Sequence, residues 1–429
     1  MIKMREMLAI VAMLMGVVLL TANVWAEEKG DKWDFKPGIY SRGGITLNSS
    51  FAKRDTNSED GYNKYRFNLG SWGDETNAIR PNLTEAQMDF TYGKKVRYVY
   101  GFDVNGDQRY IAGGNGNPKS LQQRLNYLEY YKGNQTYWFG QRAYRGDIEF
   151  LTGSWALDEH NMLGGGVKVE KIGPFNTEFA YGVKQSNVDP YVVDILINKT
   201  EYPLSNGKIK SNLEYHKVHN NSRGGKDRTT AYLAGLEFQR WGDKIAGGNW
   251  YNRLVANYSR GNVYGGTMQS AFNSADATKL AHKYLAQWNG DWGLTSFKIF
   301  YNLQYQLHLG DKNFGPAASH KWQFVNTFIR PVYVLTSNMN VGIDYAARYR
   351  LGTPRGLEDL GWGTEVYTKT YGVQRVALMW DYHLDDKPFD LATVRFFVGR
   401  MFAEKPRPYF TDQYRREETF VRLAYEVAI

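Results

Sequence analysis

The stretch Ser296 to Leu309, SFKIFYNLQYQLHL, carries an apolar or aromatic side chain at every second position: Phe297, Ile299, Tyr301, Leu303, Tyr305, Leu307 and Leu309. Between them stand Lys298, Phe300, Asn302, Gln304, Gln306 and His308, so the opposite face is mostly polar. Alternation with a period of two is a strand pattern, because successive side chains point to opposite sides, whereas a helix would mix the two sets. The stretch outruns the ~5–6 residues of a usual soluble strand and approaches the length of a tilted strand crossing a bilayer. One face needs hydrocarbon and the other needs water.

The pattern recurs along the chain with turn-rich breaks and no Pro-rich or Ser-rich linker. In VRYVYGFDVNG, Val96, Tyr98, Tyr100, Phe102 and Val104 form one face, and Arg97, Asp103 and Asn105 the other. In TFVRLAYEVAI, Val421, Leu423, Tyr425, Val427 and Ile429 share a face opposite Arg422 and Glu426. A charged face must meet water or partners. The expected fold is therefore all-β, a transmembrane antiparallel β-barrel forming one domain over 27–429. At ~10 residues per strand plus turns and loops, the length suits roughly 16 to 18 strands, enough for a water-filled lumen. Outer loops are expected at Asn48–Tyr62, Ala112–Lys119, Arg145–Met162, Asn220–Arg228 and Thr353–Gly361, which are rich in Gly, Asn, Ser or charge.

The N-terminus reads as an export signal. Lys3 and Arg5 precede an apolar or small run from Leu8 to Ala22, and Val24-Trp25-Ala26 offers small residues where a signal peptidase cuts. Residues 1–26 are expected to be removed. The run is shorter than the ~20 residues of a membrane-spanning helix. The negative mean hydropathy fits a barrel, since only alternate strand residues meet lipid.

Cysteine is absent, which excludes a disulfide framework, a thiolate metal site and a Cys nucleophile. The formal charge of +9 becomes +8 once Lys3, Arg5 and Glu6 leave with the signal. Behind such a signal, this balance points to anionic lipid such as lipopolysaccharide, an anionic solute or an electropositive pore, and not to nucleic acid.

Three motifs invite chemistry and fall short of it. Asp103–Asp107, DVNGD, lacks the glycine-to-glutamate spacing of a calcium loop and reads as a strand end with an Asn-Gly turn. Gly164-Gly165-Gly166 lacks the lysine and helix of a phosphate loop and reads as a hinge or strand-entry turn. Asp158, Glu159 and His160 adjoin Ser154, but neighbours in a loop need not converge into a triad. No catalytic, cofactor-binding or metal-ligating residue is assigned, and no enzyme is expected.

Two stretches carry more than composition. FKPGIYSRGGI, with Tyr40 and Arg42, resembles the opening strand of the maltoporins, the sugar-selective porins, where a Tyr-x-Arg-x-Gly run starts the barrel. The segment YWFGQRAYRGDIEFLTGSWALDEHNMLGGG is similar to the family's strand and third loop: Gly-x-Arg-x-Tyr, a short charged run, then a Gly-rich return. KYR at Lys64–Arg66, FIRPVY at Phe328–Tyr333 and PFDLATVRFF at Pro388–Phe397 are weaker echoes in the family's order.

The resemblance implies an eighteen-stranded homotrimeric porin whose third loop folds inward, with a ladder of lumenal aromatics beside ionisable residues. Carried over, it makes Tyr40 and Phe389 ladder rungs, Arg42 and Arg66 polar partners, and Arg145 and Asp147 charged loop residues, and Arg395 joins the expected lining through its parity with Phe389. Glu85, Arg142 and Trp155 complete the expected pore lining. Parity agrees, since Tyr40 shares a face with Arg42 and Phe389 with Arg395, and arginine facing hydrocarbon costs ~2–4 kcal/mol. There are departures: Ser154 stands at the constricting tyrosine, Leu83 where an aromatic is expected, and Val427-Ala428-Ile429 where the ladder ends in tryptophan. The expected solutes are maltodextrin-type oligosaccharides, with phosphate or acidic oligosaccharides as the alternative.

Overall fold

The computed structural model describes residues 32–48, 82–106, 122–145, 147, 157, 159–185, 192–219, 230–261, 282–309, 321–351, 371–384, 393–407 and 415–428. They form eighteen strands: β1 Trp33–Asn48, β2 Asn82–Tyr92, β3 Val96–Gly106, β4 Gln122–Lys132, β5 Gln135–Arg145, β6 Glu159–Ile172, β7 Phe175–Gln185, β8 Val192–Leu204, β9 Gly207–His219, β10 Thr230–Ile245, β11 Gly248–Arg260, β12 His282–Gly293, β13 Phe297–Leu309, β14 Lys321–Thr336, β15 Met339–Leu351, β16 Tyr371–His383, β17 Thr393–Arg407 and β18 Arg415–Ala428. Each strand pairs antiparallel with its sequence neighbours, and β1 also pairs with β18, placing Tyr40 opposite Ala428 and Asn48 opposite Phe420. Closure leaves no sheet edge, which is what a strand-built structure needs in a solvent without hydrogen-bonding groups.

Alternation maps onto the two sides of the wall. In β13, Asn302, Gln304 and Gln306 are buried, while Leu303 on the other face is 45% exposed on the isolated chain. The outward face also carries Phe139, Leu163, Leu196, Leu254 and Leu378. Near the short turns the outward aromatics meet in cross-strand pairs: Trp33 with Tyr92 at 5.2 Å and Phe175 with Tyr202 at 5.4 Å. These pairs fit an interfacial aromatic girdle.

Two expectations need correcting. The loop expected over Arg145–Met162 is shorter, because Glu159–Met162 already belongs to β6 and pairs with β5, His160 standing opposite Tyr144. Gly164–Gly166 is no hinge but mid-strand sheet, paired with β5 and β7. These glycines permit close approach: a Cβ on Gly166 would lie 2.5 Å from the Trp138 indole nitrogen, and one on Gly164 2.6 Å from the Gly182 Cα. The expected loops at 112–119, 220–228 and 353–361, and the signal segment, lie outside the described residues.

The β5–β6 hairpin departs from the wall at its tip. β6 pairs with β5 from Glu159 onward but with β7 only from Leu163 onward. The tip brings Tyr144 and Met162 against Val193, Ile195 and Ile197 on the inward face of β8, together with Trp138 and Ala180. Those three aliphatics would be wetted in a plain channel. Burial stabilises by ~1.5–3 kcal/mol per side chain, so the apolar inner patch draws the hairpin inward.

Gly164→Val should overpack this junction by at least ~1–3 kcal/mol. It is expected to reduce the heat-modifiable folded band in gel electrophoresis, whereas Gly165→Ala, whose nearest neighbour would be the Trp138 carbonyl oxygen at 3.1 Å, should retain it.

Candidate functional site: the inner wall and the third loop

The third long connection, residues 146–158, is anchored across the lumen at both described points. Asp147 reaches β9–β11: Lys210 and Lys208 approach its Oδ2 at 2.8 and 2.9 Å, Gln239 donates to the same oxygen, and Arg253 Nη2 donates to its carbonyl oxygen at 3.0 Å. Arg253 also pairs with Glu237 at 2.6 Å, both fully buried. Leu157 packs against Ala231, Leu233, Val255 and Leu285, and its carbonyl accepts from Asn212 at 3.3 Å. Burial by itself would raise the Asp147 carboxyl, but the ammonium groups of Lys210 and Lys208 prevail and hold it well below the usual carboxylate range.

Three further polar groupings line the inner face. Beside the hairpin, Arg97 pairs with Asp89 at 2.5 Å and Glu129 at 3.0 Å. Arg142 lies between Glu129 at 3.5 Å and Glu178 at 4.0 Å, with its guanidinium 5.2 Å from the Tyr127 and Trp138 ring centres. On β12–β14 an amide ladder runs from Gln287 to Asn302, Gln304, Gln306 and Asn326, with Asn326 donating to Gln304 at 2.9 Å.

The third grouping occupies β14–β18. Arg330 and Arg375 converge on Asp344 from the two strands flanking it, at 2.7 and 2.5 Å. The Arg375 guanidinium also lies 6.0 Å from the Phe328 ring centre. Arg395 joins Asp381 at 3.4 Å and Glu426 at 3.3 Å, and the Tyr40 hydroxyl donates to Glu426 at 2.5 Å.

The expected site residues therefore fall into separate places. Tyr40 and Arg395 meet through Glu426; Arg142 belongs to the hairpin grouping; Asp147 anchors the loop; Glu85 pairs with Arg124. Arg42 is opposite Glu426 in the β1–β18 ladder, and Arg145 closes β5 opposite Glu159. Arg66, Trp155 and Phe389 lie outside the described residues. Sequence reasoning missed Lys208, Lys210, Gln239 and Arg253 as loop anchors, and Arg330, Asp344 and Arg375 as a cluster. Parity marks each as inward, but the partner across the lumen has no signature in the chain.

Comparison with known proteins follows from this geometry. A family model described as LamB porin matches residues 35–405. The chain belongs to the LamB porin family. It is thus an outer-membrane, multi-pass β-barrel channel for solutes, a transport protein and not an enzyme. No curated protein matches the chain. Among solved structures it resembles Acinetobacter baumannii OccAB3, with TM-score 0.53, 9% identity, and coverage of 92% of this chain and 100% of that one. It also resembles Acinetobacter baumannii OccAB1, with TM-score 0.52, 10% identity, and coverage of 94% and 98%. The structure of Pseudomonas aeruginosa OccK2 in complex with glucuronate has TM-score 0.51, 10% identity, and coverage of 92% and 98%. At these identities the likeness is one of fold.

Asp147→Asn should loosen the loop and raise open-channel current noise in planar bilayers. A depressed folded pKa means the clamp is complete above the ordinary carboxylate pKa of ~3.9 and is lost only as pH falls through the lower folded value. The variant should therefore differ from the parent throughout pH 5 to 8, with the difference fading only in stronger acid.

Proposed function

We propose that this LamB-family barrel conducts small acidic solutes of the sugar-acid class in preference to neutral malto-oligosaccharides. The observation that carries the reading is the inward face of β14, where Asn326, Phe328 and Arg330 follow one another at alternate positions. Amides can exchange hydrogen bonds with hydroxyls, an aromatic ring suits the apolar face of a pyranose, and guanidinium suits a carboxylate. Arg330 and Arg375 both contact the carboxylate of Asp344, which gathers two guanidinium groups on this face.

The formal charge of the whole chain, +9, agrees in sign, as does the glucuronate in the OccK2 complex. Neutral-sugar passage draws on the family match, but the expected aromatic ladder has departures at Leu83 and Ser154. Tyr40 engages its hydroxyl with Glu426, and we include it with Arg42, Glu85 and Arg395 in the proposed pore lining. A homotrimer belongs to the same reading and should appear as a threefold cross-linked species in detergent.

Planar-bilayer recording tests the solute. Reversal potentials should indicate anion preference, and glucuronate should give saturable block where maltotriose does not. Arg375→Gln removes one of the two guanidinium charges while leaving the Arg330–Asp344 pair, and should weaken glucuronate block about five- to tenfold, equivalent to ~1–1.4 kcal/mol. Saturable block by maltotriose with none by glucuronate would return the channel to neutral oligosaccharides.

A further inference from the structure

The third-loop hairpin and the wall of β9 meet at a cluster that the transport reading does not use. His160 Nε2 lies 2.9 Å from Glu214 Oε1, and His216 Nε2 lies 2.7 Å from Glu214 Oε2. All three side chains are at most 2% exposed, and their three donor atoms lie within 4.8 Å of one another. We propose that His160, Glu214 and His216 bind a divalent transition-metal ion of the zinc class, which ties the third-loop hairpin to the barrel wall.

The donor set fits that ion. Two imidazole nitrogens and one carboxylate are a recurrent ligand group for zinc, copper or nickel, with a further position left for water. Ligand bonds of ~2.0–2.1 Å in a tetrahedral site put neighbouring donors ~3.3 Å apart, so each imidazole–carboxylate contact would lengthen by about half an ångström, and all three donors already lie within 4.8 Å of one another. When both Nε2 atoms donate to the carboxylate, a cation takes the place of those two protons and each ring carries its proton on Nδ1. His160 Nδ1 is buried without a hydrogen-bond partner, so the Nε2 contact with Glu214 is the bond that sets the tautomer of this ring until a cation displaces its proton.

The surroundings favour a charged guest over water alone. Glu214 stands between Ile197 and Leu233, and His216 between Ile195 and Ala231, in the ladders on either side of β9. A carboxylate with aliphatic neighbours on both sides interacts strongly with any cation that reaches it, and the buried Lys199 ammonium already supplies one such interaction. Asn212 supports the group from behind, donating to Glu214 Oε1 at 2.5 Å as well as to the Leu157 carbonyl at the end of the third loop. Such an outer-sphere bond orients a ligating carboxylate.

The connectivity gives the ion a purpose. β6 and β9 are separated by β7 and β8, and the His160 segment has no ladder to β7. His160 therefore reaches the β9 wall through side-chain chemistry alone. A bound cation would add coordination bonds at the exit of the loop, complementing the ion pairs that hold Asp147 at its entrance. The proposal concerns the loop and not the solute, so it stands or falls separately from the preference for acidic sugars.

The test uses the full chain refolded in detergent, stripped with chelator and titrated with cobalt(II), then with zinc in competition. One equivalent should bind with the intense visible absorption of a four- or five-coordinate site. His160→Ala and His216→Ala should each weaken it at least tenfold, while His282→Ala, on a different wall strand, should leave it unchanged. If the alanine variants do not fold, X-ray absorption of the parent protein with one equivalent of zinc decides: imidazole nitrogen ligands support the site. An all-oxygen ligand shell, or binding no tighter than millimolar in the parent, overturns it, as would unaltered affinity in a folded His160→Ala protein.

Discussion

Everything in this protein follows from the hydrogen-bonded closure between β1 and β18. Lipid offers no donors or acceptors, so an open sheet edge would leave backbone groups unsatisfied at several kcal/mol each. Pairing from Tyr40–Ala428 to Asn48–Phe420 removes that edge. Closure then fixes what each side chain may be, because one residue in two must face hydrocarbon and the next must face inward. The greasy belt of Leu, Ile and aromatic residues and the polar inner wall are two consequences of one constraint.

The inner wall is more than a wetted surface. Its charged groups are held by one another: Arg253 by Glu237, Arg330 and Arg375 by Asp344, Arg395 by Asp381 and Glu426. Burial makes each group dependent on its partner, since removing one member of a buried pair leaves a charge uncompensated at ~3–5 kcal/mol. Such pairing ties neighbouring strands together through their inward side chains, and it makes the local balance of charge depend on which groups meet, as where two guanidinium groups converge on Asp344. Net charge read from composition is a poor guide to that local balance.

How much of this was legible in the sequence depends on the range of the interaction. The strand face beginning at Phe297 was readable because period-two alternation is local, and the eighteen strands follow from repeating it with the family resemblance. Glu159–Met162 reads as loop because it closes a stretch rich in glycine, serine and charge, yet β5 supplies its ladder. The glycines read as a hinge because composition cannot show that Trp138 and β7 crowd them from both sides. Tyr40 is marked by resemblance and Arg395 by its parity with Phe389, but their joining carboxylate, Glu426, is legible only as an inward residue of the last strand. Contacts across the lumen, such as Asp147 with Lys210 on β9, connect positions that no local pattern relates.

The third loop shows why the fold tolerates an inward excursion at this place. An apolar patch on the inner face of β8 cannot face lipid without reversing that strand's parity, and it is unfavourable against water. Covering it with Tyr144 and Met162 resolves the conflict, but brings His160 and Asp147 into a confined space where their polar groups need partners. β9 provides those partners in alternate positions, with Lys208 and Lys210 for the loop entrance and Asn212, Glu214 and His216 for its exit. Hydrophobic burial therefore decides that the hairpin bends inward, and the polar row on β9 decides where it stops. The position of the hairpin is set by the sequence of one wall strand as much as by the hairpin itself.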